Sequence, residues 1–144
     1  MRIGLDTTFL VQACVREHPG HEVAREEMDR RLSTADTFAL SPQVMAELVH
    51  VVTDPRRFER PLSMTEALEK AREWWDARET EQVAPTARSV DQFWEWMAQH
   101  RLGRKRLLDT MLAATYHSHG VRAILTSDAR DYAVFGCFEV ISPG

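Results

Sequence analysis

Short apolar runs alternate with longer stretches of helical periodicity along this chain, and that alternation predicts an α/β fold built on a parallel sheet. Ile3 to Leu5 reads as a short buried strand, after which Thr7 or Thr8 caps a helix running through Val15. A highly charged helix from His21 to Leu32 follows, with a narrow apolar side of Val23, Met28, Arg31 and Leu32, and it is expected on the surface. Thr37 to Leu40 makes a second strand. Ser41-Pro42 supplies the cap and first-turn signals of a helix reaching about Thr53, and Ser63-Met64-Thr65-Glu66 is a capping box opening a helix to about Arg78. Glu81 to Pro85 is a weak strand, Thr86 caps a helix closed by Gly103, and Arg106 to His119 forms another helix ended by Gly120. Val121 to Thr126 and Phe138 to Ile141 complete the strands, with a short helix beginning at Asp128 between them.

With 144 residues, 44% of them hydrophobic, the chain suits one domain spanning 1–144 and has no room for a second of similar size. A formal charge of −4, from 22 acidic and 18 basic residues, makes no case for nucleic-acid binding, so local basic clusters must carry any such role. No run of 18 apolar residues occurs and the N-terminus lacks a signal-peptide pattern, so a soluble, cytoplasmic protein without membrane contact is expected. Cys14 and Cys137 lack the spacing of a zinc site or a disulfide framework and read as buried free thiols.

Against this apolar pattern, four acids stand out. Asp6 ends the first strand, Glu47 interrupts Val44-Met45-Ala46-Glu47-Leu48-Val49, Asp109 interrupts Leu107-Leu108-Asp109-Thr110-Met111-Leu112, and Asp128 follows the Ala123–Thr126 strand. In an open parallel sheet, ligands gather at the carboxyl ends of the strands, where Asp6 and Asp128 fall; Glu47 and Asp109 must reach that edge from helices. Two like charges about 4 Å apart repel by roughly 4 kcal/mol at an effective dielectric near 20, so converging carboxylates need protons or a cation. Carboxylate oxygens suit a hard ion, Mg²⁺ or Mn²⁺. The competing explanation is that each acid separately caps a helix or faces water.

Leu5-Asp6-Thr7-Thr8, Ala46-Glu47-Leu48, Leu108-Asp109-Thr110-Met111-Leu112-Ala113-Ala114-Thr115 and Leu125-Thr126-Ser127-Asp128-Ala129-Arg130-Asp131-Tyr132 resemble the four motifs of PIN-domain ribonucleases, in particular the VapC-type toxins of bacterial toxin–antitoxin pairs. The resemblance implies a three-layer fold, with a central, mostly parallel sheet of four to five strands flanked by about seven helices. It implies a Mg²⁺-dependent endoribonuclease acting as the toxin of a type II pair, with RNA as substrate, a cognate antitoxin and a homodimer as assemblies. Asp6, Glu47, Asp109 and Asp128 become its catalytic acids, Asp6, Asp109 and Asp128 its metal ligands, and Glu47 the group that orients or deprotonates the attacking water. Family members often carry Asn or Ser where this chain has Thr8. Some use the acid at Asp131 instead of Asp128, so Asp131 is a second candidate, and Thr126 resembles a polar residue placed beside the acids.

Arg56, Arg57 and Arg60 after the Glu47 helix, and Arg101, Arg104, Lys105 and Arg106 before Asp109, are candidates for phosphate contacts, although basic loops are commonly just solvated. The four tryptophans fit core or interface better than base stacking: Trp74 with Leu68 and Ala71, and Phe93 with Trp96 and Met97, form helical faces, while Trp75 or Trp94 suits a partner surface. A haloacid dehalogenase-like phosphohydrolase fits less well, because it needs a second Asp where Thr8 stands. A PIN-like module that binds a partner without catalysis is disfavoured by retention of all four acids.

Overall fold

The computed structural model describes residues 1–143. The elements follow in the order β1 (Arg2–Leu5), α1 (Thr7–Cys14), α2 (His21–Leu32), β2 (Thr37–Leu40), α3 (Pro42–Val52), α4 (Met64–Asp76), β3 (Thr80–Gln82), α5 (Ala87–Gln99), a 3₁₀ turn (Arg104–Arg106), α6 (Leu107–Ser118), β4 (Ala123–Leu125), α7 (Arg130–Ala133) and β5 (Glu139–Ile141). The expected α/β architecture is therefore present, with five strands and seven α-helices among the described residues, and their four strand pairings are parallel.

The strand order is β3-β2-β1-β4-β5. The chain builds outward from β1 through β2 to β3, then returns to lay β4 and β5 on the other side of β1. The order thus reverses between β1 and β4, and in open parallel sheets the crevice at such a reversal is where ligands bind. Register places Leu5 opposite Leu125, so the residues that follow, Asp6 and Thr126, leave the sheet side by side.

Ile3, Leu5, Phe38, Leu40, Ile124 and Leu125 are almost wholly buried, as strands covered on both faces require. Helices α5 and α6 pack together, α3 packs on α4, and α1 touches both α2 and α3. Gly4 is needed for the fit of α6: a Cβ there would stand 2.6 Å from Cδ2 of Tyr116, whose hydroxyl donates to the Leu5 carbonyl. Gly120, at φ +73°, ends α6 in the left-handed conformation that glycine adopts without strain.

Two helical faces differ from expectation. On α2 the buried residues are Ala24, Glu27 and Met28, whereas Val23 and Leu32 are exposed. Glu27 tolerates burial because Arg30 and Arg31 both donate to its carboxylate, which rotates the buried side away from the purely apolar positions. On α4, Leu68 is exposed while Ala67 and Ala71 are buried, so Trp74 packs at the margin of the core, donating Nε1–H to Sγ of Cys14 at 3.4 Å. Trp96 is buried against Phe135, and Trp94 faces solvent. Both cysteines are free and half-buried. Among the described residues no helix is long and apolar enough to cross a membrane.

Candidate active site

Asp6 is the N-cap of α1, and its side chain accepts the Phe9 amide at 3.1 Å, which fixes the carboxylate at the end of β1. The Thr8 hydroxyl reaches both carboxylate oxygens at 3.0 Å, and the Thr126 hydroxyl donates to Oδ2. Burial pushes the Asp6 carboxyl up to about 6, against the pull of these donors, and the charge of Asp128 adds to the rise.

Asp109 lies in the first turn of α6 and is half-buried. Burial first, then the neighbouring charge of Asp131, push its carboxyl up to about 7; Arg106 opposes the rise and Asp6 adds to it. Arg106 is turned inward. Its Nε stands 3.8 Å from Oδ2 of Asp109 and 3.9 Å from Oδ1 of Asp131 without a hydrogen-bond partner, and its Nη2 donates to the Asp131 carbonyl.

Glu47 comes from the second turn of α3. Thr7 donates to its Oε2 and Gln43 Nε2 to its Oε1, each at 2.9 Å, and the same Gln43 amide donates to the Leu108 carbonyl, tying α3 to the start of α6. Asp128 is exposed; its backbone amide donates to the Thr126 hydroxyl at 2.9 Å, and its carboxyl is raised by desolvation and by Asp131. Beneath the acids, Tyr116 and Tyr132 are buried, and their phenols lie well above the usual range, through burial first and the charge of Asp6 second.

By charge, Asp109 is coupled to Asp131 and Asp6, whereas Asp128, the acid ranked first from sequence, acts on Asp6 and is itself raised by Asp131. Among the described residues, no three His, Cys, Asp or Glu side chains stand close enough together to hold an ion. Arg106 lies within 4 Å of both Asp109 and Asp131 and opposes the rise of the Asp109 carboxyl. The donor set nonetheless fits a hard divalent cation, being all oxygen and containing carboxyls that raise one another's proton affinity.

Of the basic candidates, Arg56 and Arg57 are largely exposed, lying 3.5 and 3.7 Å from Asp54, and Arg104 and Lys105 are exposed beside the site. Arg106 is not an outward-facing cation, because the acids engage it. Sequence reading missed Thr7, Gln43, Tyr132 and the inward turn of Arg106. Gln43 and Glu47 carry a legible signal, the four-residue helical spacing; the others depend on contacts between distant segments.

A parallel sheet whose order reverses between β1 and β4, with acids at that edge, defines an open α/β class, and the family model for the PIN domain matches residues 3–135. The chain belongs to the PIN-domain family. It is 29% identical over 141 residues to Ribonuclease VapC24 of Mycobacterium tuberculosis, covering 98% of this chain and 96% of the relative. Among solved structures it resembles the Mycobacterium tuberculosis VapC20 toxin, described as cleaving the sarcin–ricin loop, with TM-score 0.73, 20% identity, and 96% and 98% of the two chains covered. It also resembles VapBC2 from Rickettsia felis, bound to a fragment of its promoter DNA, with TM-score 0.70, 17% identity and full coverage of both chains.

Proposed function

We propose that this protein is a divalent-metal-dependent endoribonuclease, the toxin of a type II toxin–antitoxin pair. The observation that carries the reading is the pair Asp6 and Asp109 near the reversal point of the sheet, their carboxyls raised to about 6 and about 7, with Asp128 acting on the first and Asp131 on the second, a rise that protons or a cation relieve. PIN-domain ribonucleases generally depend on divalent metal. Asp6, Asp109 and Asp131, with Asp128 as the alternative third acid, would hold Mg²⁺ or Mn²⁺, which supplies an acidified water and charge neutralisation at the phosphoryl oxygens.

The chain's own residues account for the rest. Thr8 and Thr126 aim the Asp6 carboxylate, and the Thr7 and Gln43 donors orient Glu47, which keeps lone pairs free to take a proton from the attacking water. Water adds to phosphorus, one P–O bond to ribose breaks, and the departing oxygen takes a proton from solvent. Arg57, Arg104 and Lys105 flank the acids and supply sequence-independent attraction for the RNA backbone. An antitoxin partner fits the toxin–antitoxin complexes among the structural relatives. Exposed Trp94, Leu107 and Leu108 offer apolar area for a second copy of the chain.

Asp6→Asn tests the reading. It preserves the N-cap but removes the charge, and RNA cutting in Mg²⁺ should fall by about a hundredfold or more. Cutting at the parent rate would refute the assignment.

A further inference from the structure

Beside the acids, between α1, the 54–60 loop and the segment after β4, lies an open cavity of about 540 Å³. Thr8, whose hydroxyl bonds both oxygens of Asp6, and Asp128 belong to its lining, so the cavity adjoins the site through these two residues. Val11 and Phe58 give it an apolar wall, and Arg57 stands on its lining. Thr7, Thr8, Gln12 and Ser127 supply its hydroxyl and amide groups, and Glu17 and His18 also line it. The Ser127 hydroxyl lies 2.6 Å from Oε1 of Gln12, which commits the amide oxygen and leaves the two Nε2 hydrogens without a partner among the described residues. The loop carrying Arg57 is held in place: the Glu17 carboxylate accepts the backbone amides of Glu59 and Arg60 at 3.1 and 2.9 Å.

We infer that this cavity is a nucleobase subsite, receiving the unpaired base next to the scissile phosphate and reading it with the Gln12 amide. The inference rests on the ribonuclease reading and deepens it. An apolar wall with one oriented amide and a cation suits a flat, polar-edged base whose phosphate lies outside, and single-stranded RNA is read in this way, by base edges in shaped cavities. Because Ser127 bonds the amide oxygen, the Gln12 amide is held with its Nε2 hydrogens as the free donors. They pair with acceptors that every base carries, ring nitrogens or carbonyl oxygens, and which base fits is set by where that acceptor falls. One such hydrogen bond discriminates by about tenfold.

Two measurements test this. In ¹⁵N–¹H spectra of the protein, the Gln12 side-chain amide, identified by its disappearance in Gln12→Glu, should shift with at least one of GMP, UMP, CMP and AMP, and not with ribose 5-phosphate. No shift, or an equal shift with ribose 5-phosphate, overturns the subsite without any need for turnover. Second, cut sites are mapped on a pool of RNAs randomised around the scissile bond. The parent should show a base preference at one position flanking the cut, and Gln12→Glu, which replaces the amide donors by acceptors, should change the preference there. An unchanged profile removes the subsite while the ribonuclease reading stands. A parent that cuts no RNA removes that reading, and the nucleotide titration then decides the cavity alone. An inactive Gln12→Glu likewise leaves the decision to that titration.

Discussion

The Thr126 hydroxyl donates to Oδ2 of Asp6 across 120 positions of sequence, joining the ends of two adjacent strands through one hydrogen. The Thr126 hydroxyl oxygen in turn accepts the Asp128 amide at 2.9 Å, so the donor is itself oriented. Thr126→Val keeps the shape of this fully buried side chain but leaves Asp6 short of a donor. Removing a group that orients a metal-binding carboxylate typically costs roughly ten- to a hundredfold in metal affinity or activity. The expected result is RNA cutting that needs a correspondingly higher Mg²⁺ concentration. An unshifted Mg²⁺ dependence would show that Thr126 serves packing only.

Asp131 and Asp128 sit three residues apart, and the structure separates them. Asp131 shares Arg106 with Asp109 and helps raise the Asp109 carboxyl, whereas Asp128 is exposed and acts on Asp6. Asp131→Asn should therefore lower the titration midpoint of Asp109 from about 7 and reduce cutting by about tenfold more than Asp128→Asn does. Carboxyl chemical shifts followed through a pH titration, together with single-turnover rates, check both halves. The reverse ranking would restore Asp128 as the third acid.

Why the sequence leaves this pair open is physical. Asp6 is legible because an acid directly after a buried strand is costly unless it caps or binds something, and it caps α1. Strand order and the reversal at β1 follow from the alternation of elements only after long-range pairing is known. Whether Asp128 or Asp131 faces Asp109 depends on where α7 begins and on the rotamer of Arg106, both set by packing between segments 25 residues apart. The buried face of α2 was misjudged for a related reason: Glu27 becomes a core residue once Arg30 and Arg31 fold over it, and apolar spacing carries no trace of that.

Gly4→Ala probes the join between sheet and α6. Its Cβ would meet the Tyr116 ring at 2.6 Å in a region with no free space, and overpacking of this kind costs roughly 1–3 kcal/mol. Thermal unfolding should show a midpoint lowered by several degrees. An unchanged midpoint would mean that Tyr116 moves without cost, contrary to its full burial and its bond to Leu5.

Charge at the rim is testable through salt. Replacing Arg57, Arg104 and Lys105 together by Ala removes three exposed cations, and each phosphate contact on single-stranded nucleic acid contributes about 0.7 to the slope of log affinity against log salt. The slope for RNA binding by an Asp6→Asn background should become shallower by about 2. Arg106→Ala should leave the slope nearly unchanged and instead raise the Asp109 carboxyl, since its guanidinium faces the acids. An unchanged slope in the triple variant would take these residues out of the substrate path.

Linkage gives the last prediction its sign. Asp6 and Asp109 have folded-state carboxyls at about 6 and about 7, above the ordinary value near 4, so between these limits the folded protein binds more protons than the unfolded chain. Their contribution to stability is fully present below about pH 4 and is lost as pH rises through about 6 and about 7. In the metal-free protein the unfolding midpoint attributable to this pair should therefore fall across that window. Asp109→Asn, which carries no charge to repel its neighbours, should flatten the fall and be more stable than the parent at pH 8. Mg²⁺ at saturating concentration should raise the parent's midpoint more at pH 8 than at pH 5, because protons and the ion compete for the same oxygens. If the parent and Asp109→Asn show parallel pH profiles, and Mg²⁺ stabilises both equally, Asp109 does not carry the strained charge that the grouping of acids implies.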